Sequence, residues 1–269
     1  ILLDRTPFSP GEIDGLDGSN LRRAVTAYRQ AHGLGTSGTA DDALLQALIR
    51  DDDRPVTTTL QLTEADVAGP FSPPPGDDLQ AQARNGVGYT SALERLAERV
   101  HASPALLQAL NPGVAFDRAG QAVVVPVVDR PPLAPVSRIE IDGRGNRLTA
   151  YGEDGAVLAV FPATVGSSDN PSPRGDLKVS GVARAPDYTY DPAKLSYGPG
   201  GKKVVVPAGP NNPVGAVWID LSRESYGIHG TPEPSRVGKT ASHGCVRLTN
   251  WDAQILAAAV KPGVEVKFI

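Results

Sequence analysis

The sequence predicts an α+β chain of several modules: a small helical module, then a mixed α/β module, then a β-rich domain with one late helix. Three observations support this. Apolar residues recur every three to four positions in 1–52 and 90–112, whereas they alternate in 137–269. Proline-rich stretches separate these parts. The 269 residues suffice for about two domains beside small modules, and the 29 Gly and 25 Pro indicate many turns.

Residues 1–52 are predicted to form two helices. Asn20 is expected to cap the first helix, and Thr39, Asp41 or Asp42 is available to cap the second. The strings FSPGEIDG and AYRQAHGL resemble the peptidoglycan-binding helical module found beside wall enzymes. Periodicity alone also fits a helical module that binds no ligand.

Residues 53–130 are predicted to form the middle module. Asp, Thr, Pro and Gln dominate 53–85, which predicts a connector or a long loop. The helical pattern then returns, with Ser103 as an N-cap and Pro104 as the first helical residue, and a strand follows at 123–126.

The order helix, helix, Asn-Pro-Gly, strand resembles the LysM wall-binding module. Its usual opening strand is not recognisable in this sequence, which indicates a long insertion or a degenerate copy. A structural spacer that binds no polysaccharide is the alternative.

Residues 131–136 are predicted to be a linker because proline dominates them, and the domain over 137–269 is predicted to be β-rich. One helix is expected over 251–260, with Asn250 as its cap and Lys261-Pro262-Gly263 as its end. The strands are expected at 139–141, 148–150, 157–165, 204–206, 217–219 and 264–269.

Composition excludes several classes of protein. The net charge of −4 argues against nucleic-acid binding, which needs a basic field. No apolar run approaches the length of a membrane span. The chain lacks Met and begins at Ile1, so we expect a processed product from which any export signal has been removed. The single cysteine, Cys245, excludes an intramolecular disulfide and a cysteine-rich zinc ribbon.

Cys245 is the candidate nucleophile because His243 lies two residues before it. Residues i and i+2 of an extended chain point to the same face, so the imidazole and the thiol should face each other across a bend at Gly244. The imidazole would then hold the thiol as a thiolate near neutral pH. His229, which precedes a loop at 232–239, can return to the same site.

Other interpretations of these residues stay open at this point. A lone cysteine is most often a small buried apolar residue, and a lone histidine is usually structural. His229, His243 and Cys245 could also be three zinc ligands, although no second-shell carboxylate is obvious nearby.

The strings Ile-His-Gly-Thr at 228–231 and Ser-His-Gly-Cys-Val-Arg-Leu at 242–248 together resemble the signature of the L,D-transpeptidases, a family of bacterial cell-wall enzymes. The upstream strings Ser-Pro-Arg-Gly and Gly-Pro-Asn-Asn-Pro-Val-Gly add to the resemblance, with Ser172 where the family usually has Thr. The resemblance covers about 137–269. It implies that family's β-rich catalytic fold, no metal, no other cofactor, and acylation of the cysteine by carbapenems.

The resemblance also implies catalytic roles. Cys245 would be the nucleophile and His243 its base, later the acid or base for the amine. Ser242 and the Gly244 carbonyl are candidates to orient His243. The backbone N–H groups of Gly244 and Cys245 would form an oxyanion hole.

Four further residues are expected to bind substrate or shape the site. His229 and Arg247 would shape the site or hold a substrate carboxylate, with a structural role as the alternative. Tyr226 and Trp218 are expected to line the cleft or to belong to the core. The loop over 185–203 is expected to be a flexible lid, or else a loop without function.

The implied reaction transfers the acyl group of a tetrapeptide stem, through a cysteine thioester, to another stem, with release of D-alanine and formation of a 3–3 cross-link. The partners are peptidoglycan stem peptides and glycan, and the place is the bacterial cell envelope, in the periplasm. Water as acceptor would give an L,D-carboxypeptidase, and a protein acceptor would give a wall-anchoring enzyme. A binding protein without catalysis is the rival from another class. The sequence leaves the oligomeric state open.

Overall fold

The computed structural model describes residues 1–74, 76–167, 171–173, 175–193 and 201–269. Within them, buried apolar side chains form three clusters, one mainly in each predicted module. No helix in this part of the chain is both long enough and apolar enough to cross a bilayer. The mixed, β-rich character expected from the sequence is confirmed, and the module boundaries stay a prediction.

The N-terminal module is helical, as predicted. Its core contains Val25 and Tyr28, whose side chains have almost no exposed surface. Asp41 caps the second helix, because its carboxylate accepts the Leu44 N–H at 2.9 Å. The elements are a 3-10 turn at Leu3–Arg5, α1 (Ser19–Ala31) and α2 (Asp42–Asp51).

The expected cap of α1 was wrong. Gly18 is the N-cap, and Asn20 lies inside the first turn. The Asn20 side chain is buried and donates to the Val237 carbonyl at 2.8 Å. The local pattern predicted that the Asn20 side chain caps the helix. It instead forms a hydrogen bond with a residue that is distant in sequence.

The middle module contains a strand where the sequence predicted only a connector or loop. Strand β1 pairs antiparallel with β2, from Thr57 opposite Pro126 to Gln61 opposite Ala122. Ser103 caps α6 and Pro104 begins it, as predicted. The elements are β1 (Thr57–Gln61), α3 (Glu64–Val67), α4 (Leu79–Asn85), α5 (Ala92–Arg99), α6 (Pro104–Leu110) and β2 (Ala122–Pro126). Residues 53–85 thus supply a strand and two short helices, because β1 depends on a partner some sixty residues away.

The C-terminal domain is built on an eight-stranded sheet in the order β11-β10-β9-β6-β12-β3-β4-β5, beside a hairpin of β7 and β8. The pairs β12–β3 and β10–β11 are parallel. Its strands are β3 (Arg138–Asp142), β4 (Arg147–Tyr151), β5 (Val157–Pro162), β6 (Gly175–Arg184), β7 (Tyr188–Tyr190), β8 (Val204–Val206), β9 (Val217–Leu221), β10 (Gly227–His229), β11 (Val246–Arg247) and β12 (Glu265–Phe268).

The sheet curls until its two ends meet. Thr164, just after β5, exchanges two backbone hydrogen bonds with Arg247 of β11, at 2.9 and 2.8 Å. The curl encloses a core that includes Ile139, Ile219 and Leu256, none of which has exposed surface. The end strand β11 is therefore hydrogen-bonded on one side to β10 and on the other side to the segment just after β5.

Helix α7 (Asn250–Ala259) is the late helix that the sequence predicted, but its cap differs. Thr249 is the N-cap, and its hydroxyl accepts the Asp252 N–H at 3.2 Å. The Asn250 side chain is instead turned toward the strands, where its Oδ1 accepts the Ala216 N–H at 3.0 Å. The helix packs against β9 and β10.

Residues 7–13 join the three modules through backbone hydrogen bonds. Phe8 forms a parallel bridge with Val160 of β5, and Ile13 forms a second bridge with Ala102 of the middle module. The N-terminal segment therefore extends the eight-stranded sheet at one point and contacts the middle module at another.

A buried charge cluster lies where the modules meet. Arg130 Nη2 is 3.2 Å from Asp4 Oδ1 and 2.9 Å from Asp252 Oδ1, and Asp4 Oδ2 is 2.9 Å from His101 Nδ1. Both carboxylates have no exposed surface, and the Arg130 side chain is 5% exposed. Ser9 adds a hydroxyl that donates to Asp252 at 2.8 Å. A single guanidinium thus compensates two buried carboxylates from different modules.

Replacing Arg130 with Met should lower the free energy of unfolding by about 3–5 kcal/mol, because two buried carboxylates lose their shared counter-charge. Urea unfolding followed by tryptophan fluorescence measures this. Arg118→Met is the control: Arg118 is 78% exposed beside Asp117, and its loss should change stability by no more than about 0.5 kcal/mol. Equal effects of the two substitutions would contradict a structural role for the cluster.

Candidate active site

Three side chains form a row across β9, β10 and β11, at one end of the sheet. Trp218 of β9 is paired with His229 of β10, and His229 is paired with Arg247 of β11. Paired residues point to the same face of a sheet, so indole, imidazole and guanidinium share one surface. The rings of Trp218 and His229 stack with centroids 5.4 Å apart and planes 19° apart.

Cys245 ends a tight bend, residues 242–245, that leads into β11. The Ser242 hydroxyl donates to the Cys245 carbonyl at 2.5 Å and accepts the Gly244 N–H at 3.1 Å. A hydroxyl bound in this way fixes the backbone of the bend. The expectation that Ser242 orients His243 stays a prediction.

Gly244 has two structural reasons to be glycine. Its φ of 120° lies where L-residues are strained, and a Cβ there would meet Tyr226 Cε1 at 2.9 Å. Its carbonyl accepts the Ser172 hydroxyl at 2.8 Å, and its N–H donates to the Ser242 hydroxyl. The expected roles of this carbonyl in orienting His243 and of this N–H in an oxyanion hole stay predictions.

Five of the predicted site residues line one cavity of about 530 Å³: Cys245, His243, His229, Arg247 and Trp218. The β7–β8 hairpin forms another part of the wall. The i, i+2 spacing and the return of the loop after His229 therefore brought the thiol and both imidazoles to the same cavity. A substrate in this cavity can contact all three groups.

The Cys245 thiol is half-buried and donates to the Ser225 carbonyl at 3.6 Å. Burial raises the pKa of this thiol, while the Gly227 N–H and the Arg247 charge act in the opposite direction. This direction favours the protonated thiol, which must lose its proton when it attacks.

His229 is a buried, neutral imidazole with a defined tautomer. Its side chain is 3% exposed, and Nδ1 lies 2.6 Å from the Gly230 carbonyl. A carbonyl only accepts hydrogen bonds, so Nδ1 carries the proton and Nε2 keeps its lone pair. Burial, and then the Arg247 charge, lower the pKa of His229 to about 4, against the opposing effect of the Gly230 and Val214 carbonyls.

His243 differs from His229 in its surroundings. It is exposed and lines the same cavity. Arg247 supplies a positive charge to that cavity, and its buried Nε finds no acceptor among the residues described. In that part of the chain, no three His, Cys, Asp or Glu side chains are placed to hold one metal ion. The zinc site considered above therefore receives no geometric support.

The loop expected to be a lid is in part a hairpin. Tyr188–Tyr190 pairs antiparallel with Val204–Val206, and Asp187 and Lys203 beside these strands line the cavity. Residues 194–200 of this loop lie outside the described residues. The lid itself stays a prediction.

Sequence reasoning missed two residues of this site. Ser225, which adopts a φ of 67°, offers its carbonyl to the thiol, and no motif surrounds it. Ser172 lies in a string that was noticed, yet its bridging role was not predicted: it accepts the Gly166 N–H at 2.8 Å and donates to Gly244. Only the folded chain shows either contact. Tyr226 packs on Gly244 and under the Arg223 guanidinium, consistent with a position at the site.

A curled sheet that carries a cysteine and two imidazoles in one cavity is typical of an enzyme with a cysteine nucleophile, and sequence comparison identifies the family. Residues 137–267 match the L,D-transpeptidase catalytic domain, and residues 2–48 match a family described as "Putative peptidoglycan binding domain". The chain belongs to the L,D-transpeptidase family, enzymes with a cysteine nucleophile whose family function is the formation of 3–3 cross-links in peptidoglycan.

Two relatives illustrate the match. "Putative L,D-transpeptidase YkuD" from Bacillus licheniformis is 37% identical over 164 residues, which are 60% of this chain and 83% of that protein. "Probable L,D-transpeptidase YbiS" from Escherichia coli K12 is 31% identical over 209 residues, which are 73% of this chain and 68% of that protein. L,D-transpeptidase 3 from Mycobacterium tuberculosis, a solved structure, is 17% identical, covers 57% of this chain and 71% of its own, and has a TM-score of 0.41; the assignment does not depend on it.

The raised pKa of Cys245 predicts slow alkylation at neutral pH. Iodoacetamide should modify Cys245 in the folded chain with a half-maximal rate at a higher pH than in the same chain unfolded in urea, because burial favours the protonated thiol. Intact mass followed over time, from roughly pH 6 to pH 11, gives both curves. A folded-state curve shifted to lower pH would contradict the neutral thiol and support a resting thiolate.

Proposed function

We propose that this chain is a peptidoglycan L,D-transpeptidase that joins tetrapeptide stems through a thioester on Cys245. The observation that carries the proposal is the cavity in which the Cys245 thiol, two imidazoles and the Arg247 guanidinium meet. A nucleophile, a proton acceptor and a cation for a carboxylate are the groups that this acyl transfer requires.

In the first step the Cys245 sulfur attacks the carbonyl carbon at the L-centre of the third stem residue, a diamino acid. A C–S bond forms, and the C–N bond to the terminal D-alanine breaks. The thiol proton passes to an imidazole and then to the departing amine, so D-alanine leaves as a neutral amine before it takes up a further proton from water. The product is an acyl-enzyme thioester.

In the second step the side-chain amine of another stem attacks the thioester carbon. A C–N bond forms, the C–S bond breaks, and the imidazole moves a proton from the amine back to the sulfur. The result is a 3–3 cross-link and the original thiol. Water in place of the amine gives L,D-carboxypeptidase activity, and an amine of a protein gives wall anchoring.

Two observations favour His229 over His243 as the proton acceptor for Cys245. The Gly230 carbonyl fixes the proton of His229 on Nδ1, which leaves Nε2 as the basic nitrogen. The lowered pKa of His229, about 4, keeps that nitrogen unprotonated at neutral pH, but it also makes the nitrogen a weak base for the thiol. His243, the base that the sequence favoured, lines the same cavity and stays the second candidate.

Arg247 and the aromatic residues suit substrate binding. The guanidinium with its unpaired Nε fits the C-terminal carboxylate of the donor stem. Trp218 supplies an apolar wall behind His229, and Tyr226 packs against the bend that carries Cys245. We propose that the β7–β8 hairpin closes over the bound stem as a lid, since Asp187 and Lys203 already face the cavity.

The other modules fit a role at the cell wall. The N-terminal module would hold peptidoglycan, consistent with its family match. In the middle module four helices, α3 to α6, lie between the paired strands β1 and β2. A strand, two helices and a strand with a long helical insertion would give this order, which supports the LysM-like interpretation and a glycan partner. Enzymes with this substrate act in the cell envelope, and we propose the periplasm.

Incubation with a disaccharide tetrapeptide should add the mass of the stem minus D-alanine to the intact protein. Cys245→Ala should give no adduct, because no other sulfur is present. A second stem peptide that contains a diamino acid, added next, should yield the cross-linked dimer. Release of tripeptide without any dimer would indicate a carboxypeptidase. No adduct with either protein would leave the chain as a binding protein, and loss of activity with a chelator would support a metal enzyme.

Substitution of the two histidines separates their roles. His229→Gln should slow acyl-enzyme formation by about 10²-fold or more, the typical effect of losing a general base. His243→Gln, at the exposed side of the cavity, should slow it less. Single-turnover mass spectrometry with the tetrapeptide gives both rates. The opposite ranking would return the base to His243.

A further inference from the structure

The bend that carries Cys245 is held by the segment that joins β5 to β6. At the start of the bend, the Ser242 N–H donates to the Val165 carbonyl at 2.8 Å. At its end, the Gly244 carbonyl accepts the Ser172 hydroxyl at 2.8 Å. The backbone just before the nucleophile is therefore fixed by a neighbouring segment as well as by the Ser242 hydroxyl within the bend.

The Ser172 side chain bridges two pieces of backbone. Its oxygen accepts the Gly166 N–H at 2.8 Å, and its single proton is donated to the Gly244 carbonyl. Pro171 and Pro173 flank Ser172, and their rings restrict the backbone on both sides of it. The hydroxyl is therefore held in a defined place relative to the bend.

The Gly244 carbonyl belongs to the same peptide group as the Cys245 N–H. A trans peptide group is planar, so its C=O and its N–H point in opposite directions. The hydrogen bond from Ser172 thus sets the direction of the Cys245 N–H. Without that bond the plane would rotate easily, because Gly244 has no Cβ to restrict it.

The direction of the Cys245 N–H matters for acyl transfer. When a nucleophile attacks a carbonyl, negative charge develops on the carbonyl oxygen, and the backbone N–H of the nucleophilic residue is well placed to stabilise it. Of the two N–H groups expected at an oxyanion hole, that of Gly244 donates to the Ser242 hydroxyl at 3.1 Å. The N–H of Cys245 is the one whose direction Ser172 controls.

We propose that Ser172 is a positioning residue of the transpeptidase site: by holding the Gly244 carbonyl, it directs the Cys245 N–H toward the oxygen of the carbonyl under attack. The inference rests on the proposed function for its consequence in cross-linking. Its effect on acyl transfer to Cys245 from a simple ester follows from the hydrogen bonds alone.

Two substitutions of equal shape test the hydroxyl by itself. Ser172→Thr keeps a hydroxyl that can donate to the Gly244 carbonyl, whereas Ser172→Val has the same branched side chain without it. Ser137→Ala is the control for the loss of a serine hydroxyl elsewhere in the domain. Ser137 lies just before β3 and donates to the Tyr151 carbonyl of β4 at 3.3 Å.

We expect Ser172→Val to lower kcat for D-alanine release from a tetrapeptide roughly tenfold with little change in KM, because the affected contact forms in the transition state. Complete removal of an oxyanion donor typically costs about 10²–10³-fold, and a misdirected donor should cost less. Ser172→Thr and Ser137→Ala should stay within about twofold of the parent. A parent-like kcat in Ser172→Val, or equal losses in Ser172→Val and Ser172→Thr, would overturn the proposal.

Two reagents distinguish a misdirected N–H from a displaced thiol. p-Nitrophenyl acetate acylates the Cys245 sulfur through a tetrahedral oxyanion: a C–S bond forms, p-nitrophenolate leaves, and the thiol proton passes to an imidazole or to water. Iodoacetamide alkylates the same sulfur without forming an oxyanion. Ser172→Val should slow the acylation roughly tenfold and leave the alkylation rate unchanged, both followed by intact mass.

The ratio of the acylation rate to the alkylation rate also separates this inference from the proposed function. If the parent takes no acyl group from a tetrapeptide, the proposed function fails, while the ratio still decides the role of Ser172. A ratio that falls in Ser172→Val and returns in Ser172→Thr supports the proposal. A ratio that is the same in the parent and in Ser172→Val overturns it, whether both rates stay constant or both fall together.

Discussion

The first turn of α7 joins the three modules through buried side-chain contacts. The Trp251 ring stacks on His101, and Asp252 binds Arg130 and the Ser9 hydroxyl. Two consecutive residues thus contact the middle module and the N-terminal segment. Because carboxylates at this junction are fully buried, any separation of the modules exposes or unpairs charge. The relative placement of the modules therefore depends on the first turn of α7.

This junction lies five residues after the nucleophile. The bend at 242–245 leads into β11, and β11 leads through Thr249 into α7. The neighbouring strand β10 carries His229, whose backbone carbonyl accepts the Leu248 N–H at 2.8 Å. Cys245 thus lies directly before β11, and His229 lies on the adjacent strand β10.

The elements predicted well are those whose determinants are local. Ser103 followed by Pro104 begins α6 as expected, because an N-cap hydroxyl and a proline at the first position act within one turn. The predictions that failed each involve a distant partner. Strand β1 exists through its pairing with β2, and the side chains of Asn20 and Asn250 serve distant carbonyls and amides instead of helix ends.

The sequence by itself determined the β-rich domain, its late helix and the pairing of Cys245 with an imidazole in a transpeptidase signature, because residue type and short spacing carry that information. Only the tertiary structure decided the protonation states and partners. Burial favours the neutral forms of the Cys245 thiol and of the His229 ring, and the backbone of the bend takes the hydroxyl of Ser242. Desolvation and long-range hydrogen bonds depend on which surfaces meet in space, and spacing along the chain does not record them.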